Sequence, residues 1–149
     1  MSRRNAIHFS MRIPSKCALT LATAAYGFAP VVADLNETHL FNPDWSPHAR
    51  MHGAWLLFSG ACIAGFSLFR AWVHDELIVP SVVGLLFVSG FWLAALSTPF
   101  YGGALVDHDG YKDTLLGLNA NVLVFLVVTG TLVTVLIYAM RSRSIQTKA

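Results

Sequence analysis

The stretch Asn42-Pro43-Asp44-Trp45-Ser46-Pro47-His48-Ala49-Arg50-Met51-His52 passes from turn formers to a helix start, and an apolar run from about Gly53 to Phe69 follows it. A serine oxygen can accept from an orphan helix N–H, and proline at the first helical position loses no intrahelical bond. Ser46-Pro47 therefore predicts the start of a helix. At about 100° per residue, His48, His52, Trp55, Ser59, Cys62 and Phe66 fall on one stripe of that helix, and Arg50 falls on the opposite side. A site built on the two histidines requires this stripe to face the interior of the fold.

Composition sets the class. The chain has 149 residues, of which 55% are hydrophobic and only 12% charged, and its mean hydropathy is +0.57. That is too apolar for an ordinary soluble domain and reads as an integral membrane protein of one membrane domain spanning 1–149. A net charge of +2 is too small and too dispersed along the chain to argue for nucleic acid, and no nucleic-acid partner is expected. Cys17 and Cys62 form no CxxC pattern and read as small apolar residues in helices.

Four apolar segments are predicted to span the bilayer, at about 17–33, 53–69, 77–96 and 115–140. The connections are a polar loop over 34–52, a short turn over 70–76, and a second loop over 97–113 that contains Thr98-Pro99, Gly102-Gly103 and Asp109-Gly110 as breakers. The first segment has a second reading. Its basic flank, apolar centre and Val31-Val32-Ala33 before Asp34 also describe a cleavable signal peptide.

Lysine and arginine give the orientation. Eight of the ten basic residues lie in the N-terminal segment, the Arg70 turn and the C-terminal tail, leaving Arg50 and Lys112 on the other side. The fold class expected is thus an all-α four-helix transmembrane bundle with both termini cytoplasmic. The two long loops are then periplasmic, extracellular or lumenal. They also carry His39, His48, His52 and His108, and the acids Asp34, Glu37, Asp44, Asp107, Asp109 and Asp113. No span has an ionisable residue at its middle, which argues against a pump or an ion-coupled transporter.

His48 and His52, four residues apart on a helix, can present two nitrogens to a metal, with His39, Asp44, His108 or Asp109 as further ligands. Without an HExxH glutamate or a second patterned pair, spacing alone does not establish a metal site, and no cofactor is assigned. The same group can act as acid and base, since imidazole titrates near neutral pH and a carboxylate can orient it. Against both stands an interfacial role, in which these histidines join Trp45, Trp55, Tyr101 and Tyr111 in an aromatic belt. Asp107 to Asp113 lacks the EF-hand order and reads as a solvated turn or a lid. Asn119 and Asn121 suit interhelical hydrogen bonds, and Asn119 also lies within reach of a ligand at the outer mouth.

The run Asp34-Leu35-Asn36-Glu37-Thr38-His39-Leu40-Phe41-Asn42-Pro43, followed by Trp45, Pro47-His48-Ala49-Arg50 and His52, resembles a family of small, mostly uncharacterised four-helix membrane proteins of bacteria and fungi, in which an N-P-x-W-x-P-H-A-basic-x-H segment joins the first two helices. The likeness is specific over about twenty residues and general in hydropathy elsewhere. It implies the architecture and the importance of the segment, and it implies no reaction. More loosely, the four-span plan is similar to DoxX-like proteins and to glutathione-dependent membrane enzymes of eicosanoid metabolism. The arginine-rich helix start of the latter is absent here.

The function expected is recognition or transformation of a small lipophilic molecule arriving from the bilayer. His48 and His52 would serve as acid, base or polarising groups, with Asp44, Asp107 or Asp109 as their orienters. Arg50 would anchor an anionic group, Trp45 and Trp55 would form apolar walls, and His39, His108 and Asn119 would line the site. The alternatives are an accessory subunit of a membrane complex or homo-oligomer, and a metal-binding membrane protein.

Overall fold

In the computed structural model, the described residues are 3–105, 114–115 and 117–146, with side chains described from Arg12 to Ile145. They form α1 (Arg3–Gly27), α2 (Ala29–Asp34), α3 (Pro47–Trp72), α4 (Ile78–Tyr101) and α5 (Ala120–Gln146), with two short strands, β1 (Thr114–Leu115) and β2 (Leu118–Asn119). Four segments are long and apolar enough to cross a membrane: Arg12–Asp34, Pro47–Trp72, Ile78–Tyr101 and Ala120–Ile145. The expected four-helix bundle is therefore the observed fold.

The boundaries move for local reasons. The first span is interrupted at Phe28, because Pro30, in the first turn of α2, has no N–H with which to continue the ladder of α1. The helix start after the N-P-x-W segment behaves as read: the Ser46 side chain accepts from the Ala49 N–H at 3.2 Å and Pro47 opens α3. Thr98-Pro99, expected to break the third span, lies inside α4. Pro99 leaves the Ala95 carbonyl without its backbone donor, and the Thr98 hydroxyl donates to that carbonyl at 3.1 Å, so the helix runs on to Tyr101. Gly102, at φ 72°, then ends it in a left-handed cap. The last span starts later than expected, since Gly117 at φ 77° reverses the chain and pairs Leu115 with Leu118 as a small antiparallel hairpin.

The four long helices form a closed ring in the order α1, α3, α4, α5, with α5 returning to α1. Leu19, Tyr26, Ala64, Val88, Leu132 and Val135 fill its centre. The Tyr26 hydroxyl donates to Ser67 Oγ at 3.2 Å, satisfying two polar groups between α1 and α3. Helix approach is close at Gly27, where a Cβ would clash with that of Ala64 and lie 3.0 Å from the Gly60 carbonyl oxygen. Arg12, Asp75, Tyr138 and Arg143 line a common cleft, so the start of the first span, the α3–α4 turn and the end of α5 share one end of the bundle. The loop before α3 belongs to the other.

One expectation is reversed. The face of α3 buried in the ring is Leu57, Gly60, Ala64, Ser67 and Ala71. The histidine stripe lies on the outer flank, with Trp55 63% and Phe66 47% exposed and Cys62 exposed as well. In a bilayer both flanks of a helix are apolar, so hydrophobicity does not choose between them. Small residues do, because they let two backbones approach, and Gly60, Ala64, Ser67 and Ala71 lie on the other face of α3.

Candidate functional site

The loop that delivers the chain to α3 is shaped by two asparagines. Asn36 Oδ1 accepts from the Thr38 N–H at 2.9 Å and the His39 N–H at 3.0 Å, and its amide donates to the Ala33 carbonyl at 2.6 Å. Asn42 Oδ1 accepts from the Asp44 N–H at 2.9 Å. Such side-chain turns let a loop satisfy its own backbone without a partner strand. Leu40 is buried, and with Trp45 it packs on Gly53, where a Cβ would lie 3.4 Å from Leu40 Cδ1 and 3.3 Å from Trp45 Cζ3. The loop is thereby pinned across the first turns of α3.

His48 and His52 emerge one turn apart beside this loop. Their Nε2 atoms are 3.1 Å apart and their rings meet edge to face with centroids 4.5 Å apart. The Trp55 ring continues the row, its centroid 6.0 Å from that of His52. Both imidazoles are exposed. For the two Nε2 atoms to share one proton, one ring must donate and the other accept, so the neutral pair holds two different tautomers.

The other candidates divide between this row and the loop. Arg50 turns away from the histidines: its Nη2 donates to the Pro43 carbonyl at 3.3 Å, and its Nε is enclosed without a partner among the described residues. Trp45 is half-buried as a packing residue of the loop. Asp44 is exposed. His39 has partners of its own, the Thr38 hydroxyl 2.8 Å from its Nδ1 and Asp34 Oδ1 4.0 Å from its Nε2. A carboxylate–imidazole pair thus forms at Asp34 and His39. Among the described residues, no hydrogen bond or ion pair joins Asp44 or His39 to His48 or His52. Asn119 caps α5, accepting from the Asn121 N–H at 3.0 Å and donating to the Leu105 carbonyl at 2.7 Å. Asp107, His108 and Asp109 lie outside the described residues.

The opposite end carries a polar cluster that sequence reading did not single out. Asp75 receives Arg12 Nε at 3.0 Å and Lys16 Nζ at 2.6 Å, and Arg12 Nη2 also donates to the Asp75 carbonyl at 2.8 Å. Partial burial alone would raise the Asp75 carboxyl, but the hydrogen bonds from Lys16 and Arg12 outweigh it and hold the group below its ordinary value of 3.8. Lys16 also lies 5.2 Å over the Trp72 ring, and Trp72 Nε1 donates to the Thr20 hydroxyl at 2.9 Å. Arg70 pairs with Glu76. Beside this cluster is a cleft of about 320 Å³ lined in part by Arg12, Asp75, Glu76, Tyr138 and Arg143. The available signal was Arg12 and Lys16 at helical spacing, which sets two cations on one face opposite an acidic turn.

A sequence profile described as a family of unknown function (DUF6640) matches residues 18–147. No curated protein and no solved structure matches the chain.

Proposed function

The chain belongs to the family of unknown function DUF6640, and from that premise we propose that it binds or transforms a small lipophilic molecule at the loop-bearing end of the bundle. The observation that carries this reading is the row His48, His52 and Trp55, with two Nε2 atoms 3.1 Å apart on an exposed flank. The interior site expected from the sequence is not formed, and the site proposed in its place opens to the bilayer: a lipophilic molecule concentrates there and approaches a helix from its lipid side, where the polar pair on the outer flank is accessible to it. In one tautomeric arrangement the pair offers a donor and an acceptor together, which suits a hydroxyl or carbonyl at the end of an apolar body. Trp55 supplies the adjoining apolar wall. Arg50 and Trp45 fix the loop that borders it, and His39 and Asn119 lie at the same end of the bundle; the orienting role proposed for Asp44, Asp107 and Asp109, and the lining role proposed for His108, rest on the sequence.

The count of basic residues supports an outward-facing mouth in the periplasm, the extracellular space or a lumen. The test is the set of lipophilic molecules that copurify with the protein in mild detergent, identified by mass spectrometry. A species carried by the wild type should be lost from His48→Ala and His52→Ala while yield and helicity are retained. The same species at the same occupancy in both variants would reject the site.

A second reading rests on the ridge of Trp55, Phe58, Phe66, Phe69 and Trp72, all exposed along α3. Such a ridge suits a neighbouring helix as well as lipid. In an accessory subunit of a membrane complex or homo-oligomer, substitutions along the ridge would release the partner and the histidine variants would not.

A further inference from the structure

We infer that His48 and His52 together chelate one divalent transition-metal cation of the copper–zinc type. Spacing by itself is common among helices. The structure adds the identity of the converging atoms, which are both Nε2, and a separation of 3.1 Å. Two imidazole nitrogens each about 2.0–2.1 Å from one cation stand about 2.9 Å apart when the angle at the metal is a right angle and about 3.4 Å apart when it is tetrahedral. The observed separation falls between those limits, so a cation can replace the shared proton with little movement of either ring.

The surroundings suit this exchange. Among the described residues, the only side-chain hydrogen bond made by either imidazole is the one to the other. Arg50, the nearest cation in sequence, is directed to the Pro43 carbonyl. Both rings are exposed, leaving the remaining coordination positions open to water or to an oxygen or nitrogen of a ligand. Imidazole donors without thiolate favour copper and zinc among common divalent ions. The positive end of α3 opposes a cation here, but that field is screened at an exposed position and fades within the first turn. The chelate rests on the reading of this face as a ligand site and deepens it: the polarising group offered to the lipophilic molecule becomes a metal ion with open positions.

The experiment uses the tag-free full chain in nanodiscs of zwitterionic lipid, titrated with Cu²⁺ alone and followed by electron paramagnetic resonance, with Zn²⁺ as competitor. One tight equivalent is expected, with splitting from two imidazole nitrogens. His48→Ala and His52→Ala should each weaken it by at least about tenfold, while His74→Ala, in the turn between α3 and α4 at the opposite end of the bundle, leaves it unchanged. A tight site that persists in both variants, or a wild-type spectrum with fewer than two coordinated imidazoles, overturns the chelate. Should either variant lose helicity, modification of wild-type histidines by diethylpyrocarbonate decides: Zn²⁺ should protect His48 and His52, and equal modification with and without Zn²⁺ overturns the inference. Copurifying lipophilic molecules do not enter these readouts. Their loss from the histidine variants without metal binding would remove the chelate and leave the proposed function, whereas metal binding without any such molecule would do the reverse.

Discussion

Asp75 is a non-glycine residue at φ 53°, a left-handed conformation that aspartate tolerates better than most side chains. The conformation is held from outside the turn: Arg12 reaches both the carboxylate and the carbonyl, and Lys16 reaches the carboxylate. These cations lower the Asp75 titration point, so the folded state favours the ionised carboxyl. Its stabilising contribution is present above the ordinary value of 3.8 and is lost as pH falls through the lower folded value. The carboxyl is about half exposed, so screening keeps the contribution modest. Thermal midpoints followed from neutral to acid pH should show Asp75→Asn less stable than the wild type at neutrality, with the two curves converging in acid. A constant gap at every pH would show that the carboxyl's charge is irrelevant to the turn.

At the scale of the elements, the contact between α1 and α3 is set by what is missing from side chains. Gly27 allows the backbone of α1 to rest against Ala64 and Gly60. Gly27→Val should force the helices apart and cost about 1–3 kcal/mol, measured as a lowered thermal midpoint in detergent. An unchanged midpoint would mean that the two helices separate freely. The spans themselves were legible because membrane insertion depends on the sum of hydropathy over many residues, which tolerates local error. Their ends depend on single bonds, such as Thr98 to the Ala95 carbonyl, and on one backbone dihedral at Gly117, and neither has a hydropathy signature. The histidine pair was legible in its spacing, since helical geometry alone brings His48 and His52 together. Its orientation was not, because the rank of Gly60 and Ala64 over Trp55 as interior residues comes from helix–helix approach. Likewise Asn119, read as either a hydrogen-bonding or a ligand-lining residue, is tied to Leu105 and the first turn of α5.

For the whole molecule, the structure sets Arg12, the Asp75 turn and Arg143 at one end, and from the distribution of lysine and arginine we propose that this end faces the cytoplasm. Reporter fusions after Ala33 and near Gly103 should therefore signal outside, and fusions after Arg70 and at the C-terminus inside. An inside signal near Gly103 would overturn the assignment. The ring order has a further consequence, for the timing of assembly. Contacts of α3 with α1 and α4 join segments close in the chain, whereas α5 must meet both α4 and α1, the most distant helix in sequence. Val128, Leu132 and Val135 enter the interior only with that last helix. Until it is synthesised and inserted, the first three helices form an open trough whose inner wall is wetted by lipid. Maturation of the bundle is therefore expected to wait on synthesis of α5, the helix that closes the ring.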